Sequence, residues 1–319
     1  MRPTVSGLAG IAIAALAVLF LPAIVGSQWV RILTSTVCFA LAAAGIGVLY
    51  ARLNMVSLAQ VALMGVGGWV MLRMNHGLNL PFEVNVLAAG LVTACFGIVL
   101  ALPALRMRGL YLALITMMAA GGIEIMLSTF RFPNGGEGFW GVMASVSAPF
   151  RRPAMAEGDG MYLRYVIVAA TLGFLLIELH RRTAPGRAWA MIRRSEAAAM
   201  ASGINVTLYK GWAFALSGLL AGLAGGLLAG SLGLLDAATF RASESIMLFA
   251  LVVVGGARYW LGIVIAAVLY RILPAILNNW GLDADLALVV FGAALLHAII
   301  TAPDGIAGQI FSLAARKRR

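Results

Sequence analysis

The sequence predicts an all-α, polytopic membrane helical bundle, from its composition, the blocking of its apolar residues and the sidedness of its basic ones. Of 319 residues, 62% are apolar and 11% charged, and the mean hydropathy is +0.97, far from the mixture of a soluble globular chain. A membrane span takes about 20 apolar residues, so this content supplies up to about ten. The apolar residues come in long blocks without strand-like alternation. Most of the 37 glycines sit inside those blocks, where membrane helices use small residues to approach one another. A secreted disulfide scaffold is excluded and a soluble enzyme disfavoured: Cys38 and Cys95 lie in apolar runs and read as small buried hydrophobes.

Ten blocks follow in order, at 8–25, 32–50, 56–72, 84–105, 110–130, 163–179, 211–235, 245–256, 259–277 and 284–301. The first follows only Arg2, Pro3 and Thr4 and lacks a small-x-small cleavage site, so it reads as a retained helix rather than a removed signal. The third opens on Asn54, Ser57 and Gln60. Ser57 and Gln60 are spaced to share a helix face, and Gly65, Gly67 and Gly68 permit close helix approach or local unwinding. These polar groups serve either a pathway or packing. Arg106, Arg108 and Gly109 make a compact turn between the fourth and fifth blocks. The fifth carries Glu124, a carboxylate inside a span, which either faces an aqueous pathway or pairs structurally. The eighth, 245–256, is too short to span as a helix. It reads as a helix extended back through Arg241 and Glu244, or as half of a broken or re-entrant one.

Ten crossings place both termini on one side. Most of the 23 Lys and Arg residues fall on that side, while Glu83, Glu137, Glu157, Asp159, Asp236, Asp283 and Asp285 gather on the other. Both termini are therefore expected in the cytoplasm. The net charge of +11 is mainly this orientation signal. The basic groups are dispersed among apolar spans with no recognition helix or RNA motif, so the expected surroundings are membrane lipid and not nucleic acid.

The whole chain, 1–319, reads as one integral-membrane domain with two long loops. The extracytoplasmic one, 130–160, contains Asn134, Gly135, Gly136, Glu137 and Gly138. Their backbone can approach a polar solute or an outside partner, or form an ordinary turn beside the interfacial anchors Phe139 and Trp140. The cytoplasmic one, 180–210, carries its own helix over 187–202, entered through Pro185 and Gly186 and ended at Gly203. Its spacing puts Trp189, Ile192, Glu196 and Ala199 on one face. Ala197 and Ala198 allow another protein to come close, and Glu196 offers a carboxylate to a basic partner. The other reading lays this helix on anionic lipid through Arg193 and Arg194.

The segment "EAAAMASGI" resembles the coupling loop of bacterial ABC importer permeases, whose signature is Glu-Ala-Ala followed by a glycine. Further blocks are similar to the second permease subunit of branched-chain amino acid importers: "LNMVSLAQVALMGVGGW", "LPALRMRGLYLALITMMAAGGIEI", "FPNGGEGFWG", "INVTLYKGWAFALSGLLAGLAGGLLA", "SESIMLFALVVVGG" and "PDGIAG". The resemblance implies an ABC importer permease fold in the bacterial inner membrane, with Glu196, Ala197, Ala198 and Gly203 in the groove of an ATPase. It also implies four kinds of contact: a second homologous permease, two cytoplasmic ATP-binding subunits, an extracytoplasmic solute-binding protein and lipid. ATP and Mg2+ would belong to the ATPases, leaving this chain without cofactor, metal or catalytic residue. Consistently, the sequence has neither a GxxxxGK[ST] nor an HExxH pattern, and His76, His180 and His297 are scattered.

Two departures from the family stand out. "GGARYWLGIV" puts Arg258, Tyr259 and Trp260 where a further glycine and a small residue are usual, and "LLDAATF" lacks a proline before Phe240. The cargo therefore stays open among branched-chain amino acids, a wider amino acid range, urea and a short amide. An ion-coupled secondary transporter is the second reading of the bundle, and a membrane-bound enzyme the third.

Overall fold

The computed structural model describes residues 18, 25–78, 80–107, 109–134, 150–281, 292–293 and 305–316. Among them lie eleven α-helices: α1 (Ser27–Leu53), α2 (Gln60–Gly77), α3 (Phe82–Ala104), α4 (Leu110–Phe130), α5 (Asp159–Arg182), α6 (Ala184–Arg194), α7 (Glu196–Ala201), α8 (Val206–Leu232), α9 (Ala242–Gly255), α10 (Trp260–Asn279) and α11 (Gly305–Arg316). Short 3-10 turns occupy Ala154–Ala156 and Ala237–Phe240. Among the described residues six helices, α1, α3, α4, α5, α8 and α10, are long and apolar enough to cross a membrane. The expected blocks 8–25 and 284–301 lie almost entirely outside the described residues.

The bundle is built around α8, which packs along α1, α2 and α3, while α5 and α10 lie against α1. Small residues permit this. A Cβ on Gly67 of α2 would meet the Cα of Gly222 of α8 at 2.5 Å, so the two backbones touch with no side chain between them. By contrast α3, α4, α5 and α10 keep one apolar face outward, as helices bordering lipid or another subunit do. Cys95 is on such a face of α3 and is exposed, whereas Cys38 is buried as expected.

The bundle has two ends. Leu53, Ala104, Arg182, Val206 and Gly255 lie at the lower one, with α6 and α7; Asn134 and residues 150–158 lie at the upper one. α1 ends where Asn54 takes a left-handed conformation (φ 57°) and donates its N–H to Tyr50 O at 3.0 Å, a role that suits asparagine.

The helix expected over 56–72 starts only at Gln60, and residues 54–59 are not helical. Gln60 Nε2 donates to Ala42 O at 2.9 Å and to Ser217 O at 3.2 Å. Both carbonyls lie roughly 16 Å up their helices from the lower end, at 1.5 Å per residue. So α2 begins at half depth and runs upward. α9 does the reverse: after α8 has reached the upper end, residues 233–241 lead back to half depth, and α9 runs downward. The short 245–256 block is thus the helical half of a broken segment, as one of the two expectations held.

The two half-helices are sequence relatives. "SLAQVALMGVGG" from Ser57 and "SIMLFALVVVGG" from Ser245 share Ser, Ala, Leu, Val and the Gly-Gly pair at the same spacing, and each follows a 27-residue helix. They run in opposite directions, the arrangement of an inverted repeat.

Candidate functional site

The lower loop is two helices where one was expected. Thr183 caps α6 in an extended conformation and Pro185 sits in its first turn, where the missing N–H costs nothing. Ser195 then breaks the run: its backbone is extended (φ −161°, ψ 120°) and its Oγ accepts the N–H of Ala198 at 3.2 Å, so α7 starts afresh. Gly203 ends α7 at φ +79°, as the sequence indicates, with Ile204 N donating to Ala199 O at 3.0 Å.

The expected face does form, but it turns inward. Trp189, Ile192 and Ala199 are buried. Trp189 Nε1 donates to Tyr209 O at 2.9 Å, and Arg193 Nη1 donates to Ala51 O at the end of α1. Glu196 Oε1 lies 2.8 Å from Lys210 Nζ, and only 3% of the Lys210 side chain is exposed. The Glu196 carboxylate, expected to be offered outward, is thus held by a lysine of the same chain. Ala197, Ala198, Met200 and Gly203 are exposed on the other side. What the loop presents is a small apolar surface, backed by buried anchors.

At half depth the N-termini of α2 and α9 meet. Val61 N donates to Ser245 Oγ at 3.0 Å, so α9 caps α2. From α4, Thr116 Oγ1 accepts the N–H of Leu58 at 2.9 Å and Glu124 Oε2 that of Ala242 at 2.8 Å. Helix N-termini carry partial positive charge, and Glu124 therefore sits where a carboxylate is stabilised within the membrane. Gln60 Oε1 accepts from Ser217 Oγ at 3.0 Å, completing a clasp between α2, α1 and α8. Glu244 accepts from Tyr270 OH at 2.5 Å, and Arg271 donates to Ser35 Oγ at 3.1 Å over the ring of Phe39.

Of the residues singled out in the sequence, Gln60 and Glu124 belong to this junction. Ser57 is buried beside it, in the non-helical stretch rather than on a helix face with Gln60. Asn54 lies apart, exposed at the lower end. Gly135, Gly136 and Glu137 lie outside the described residues. Their neighbour Asn134 exchanges two hydrogen bonds with the Leu235 backbone, at 3.0 and 3.1 Å. Lys210, Ser217, Ser245 and Thr116 were missed. The repeat around Ser57 and Ser245 was the available signal for the junction.

Compared with known proteins, residues 28–299 match the family described as "Branched-chain amino acid transport system / permease component". The chain is 26% identical, over 309 residues, to the high-affinity branched-chain amino acid transport system permease protein LivM of Salmonella typhimurium strain LT2. It is 25% identical over the same length to LivM of Escherichia coli K12. Each match covers 89% of this chain and 71% of the relative. No solved structure matches. With a broken-helix bundle, a lower loop exposing an Ala-Ala surface and a family match over most of its length, the chain belongs to the permease components of branched-chain amino acid transport systems, and is a transport subunit rather than an enzyme.

Proposed function

We propose that this subunit conducts branched-chain amino acids inward across a bacterial inner membrane, driven by ATPases that dock on α6 and α7. The observation that carries the reading is the exposed surface of Ala197, Ala198 and Met200, presented on a loop whose opposite face is buried against the bundle. The lower end is then cytoplasmic, in line with the basic residues Arg52, Arg181, Arg182, Arg193, Arg194 and Arg258 there. The upper end, with Asn134 and residues 150–159, receives solute from a binding protein.

The second permease seats against α4. Tyr111, Met118 and Ile125 are largely exposed on it, and nothing lies within 4 Å of a Cβ built on Gly121 or Gly122. Small residues in such a position let a partner helix come close. ATP-dependent leucine uptake into proteoliposomes holding both permeases, the ATPases and the solute-binding protein tests the cargo and the energy source together. Replacing Ala198 by arginine is expected to release the ATPases while the permease stays in the membrane. Undiminished co-purification of that variant with the ATPases would overturn the docking surface, and uptake driven by an ion gradient without ATPases would overturn the whole reading.

A further inference from the structure

We propose that α8 is the strut that carries movement of the lower loop to the half-depth junction and on to the upper face, and that Lys210, fastened by Glu196, is its foot. The inference rests on ATPase docking at α6 and α7 and names the route beyond it.

Lys210 is in a position that electrostatics alone disfavours. It lies close to the N-terminus of α8, where the helix dipole repels a cation, and it is almost wholly buried. Glu196 at 2.8 Å supplies the compensating charge. One residue earlier, Trp189 Nε1 binds Tyr209 O. The two helices of the loop are thereby each fastened to the first turns of α8, by side chains that hold them in one place.

Two turns above Lys210 on the same face is Ser217, whose hydroxyl and carbonyl both bind the Gln60 amide. Gln60 opens α2, and the next residue, Val61, is capped by Ser245 of α9. Higher still, Gly222 touches Gly67 and a Cβ on Gly218 would meet Thr93 O at 2.6 Å, so no flexible side chain absorbs a displacement. At the top, Tyr162 OH donates to Leu227 O at 2.7 Å, and Arg152 donates to Gly230 O at 2.7 Å and Ser231 O at 3.1 Å. The same arginine binds Asp159 at 2.7 Å. One enclosed helix therefore touches the lower loop, the junction and the upper segment. α5, although it runs straight into α6, has an exposed face along its length.

The test uses the full transporter in proteoliposomes. In Lys210→Met, the ATPases are expected to co-purify and to hydrolyse ATP without solute within about twofold of the parent, while uptake falls by about tenfold or more. The exchange Glu196→Lys with Lys210→Glu is expected to restore at least about a third of the uptake, which a lysine acting without its Glu196 partner would not permit. Should the ATPases fail to co-purify even with the parent chain, the docking reading falls. If they co-purify and Lys210→Met transports normally, the strut falls and docking stands. In a Cys95→Ser background, Glu196→Cys and Lys210→Cys joined by a short bis-methanethiosulfonate, which forms a disulfide with each cysteine as methanesulfinate leaves and is removed by dithiothreitol, gives an independent arm, should Lys210→Met not reach the membrane. Uptake persisting in the linked protein supports a loop and strut that move as one body, and uptake blocked by the linker and restored on its removal overturns it.

Discussion

The half-helices α2 and α9 carry related sequences and meet at their N-termini, yet the protein holds them by different means. α2 is enclosed: its first residue is clasped to α1 and α8, Gly67 and Gly68 lie against α8, and a serine of α9 caps it. α9 is gripped at its start from outer helices, by the Glu124 carboxylate of α4 on Ala242 N and by the Tyr270 hydroxyl of α10 on Glu244, and both of those helices keep one face outward. The symmetry-related serines show the same divergence. Ser245 caps α2, whereas Ser57 caps nothing and, among the described residues, its hydroxyl forms no hydrogen bond. An inverted repeat has thus become one half clasped by the central helix and one half that buries Leu248, Leu251 and Val252 but is latched at its start to outer helices, beside the proposed subunit contact.

The sharpest way to break this contrast is Gly67→Val. It drives a branched side chain into the α8 backbone and is expected to cost at least about 1–3 kcal/mol, read as a fall in membrane level and melting temperature. Gly121→Val, in open space on α4, should leave the isolated subunit unchanged. Next in size is Glu124→Leu. It strips the acceptor from Ala242 N and is expected to cost about 1–3 kcal/mol, with Glu124→Gln recovering most of it. A wild-type melting temperature for Glu124→Leu would show that α9 is held elsewhere.

Ser245→Ala removes a helix cap and should cost about 0.5–2 kcal/mol. Its repeat partner Ser57→Ala should stay within about 0.5 kcal/mol. Equal losses at the two serines in a denaturant titration would erase the asymmetry described above.

Much of this was legible in the chain. The apolar blocks located all six long helices, because burial in lipid demands unbroken apolar length, and the Glu-Ala-Ala run with Gly203 located the loop. The break at Gln60 was harder to see, since 56–72 is apolar apart from Ser57 and Gln60 and hydropathy does not distinguish an extended buried stretch from a helix. Only the internal repeat, matched in direction-reversed copies, carries that information. The orientation of Glu196 was misjudged for a related reason: an acidic residue beside exposed alanines reads as a surface group, and the lysine that turns it inward is fourteen residues away, beyond α7 and its glycine turn. Ser195 likewise has an ordinary place in a helical pattern until its capping bond to Ala198 is known.

The grip of Arg152 on the last carbonyls of α8 has a consequence for biogenesis. Its partners Gly230 and Ser231 emerge from the ribosome almost eighty residues after it, and the Ser217 that satisfies Gln60 emerges 157 residues after Gln60. The first half of the chain therefore enters the bilayer with its polar clasps open and is completed only when α8 threads between helices already inserted. A nascent chain halted before Val206 holds a Gln60 amide bonded to Ala42 but lacking Ser217, and an Arg152 guanidinium bonded to Asp159 but lacking the carbonyls of α8.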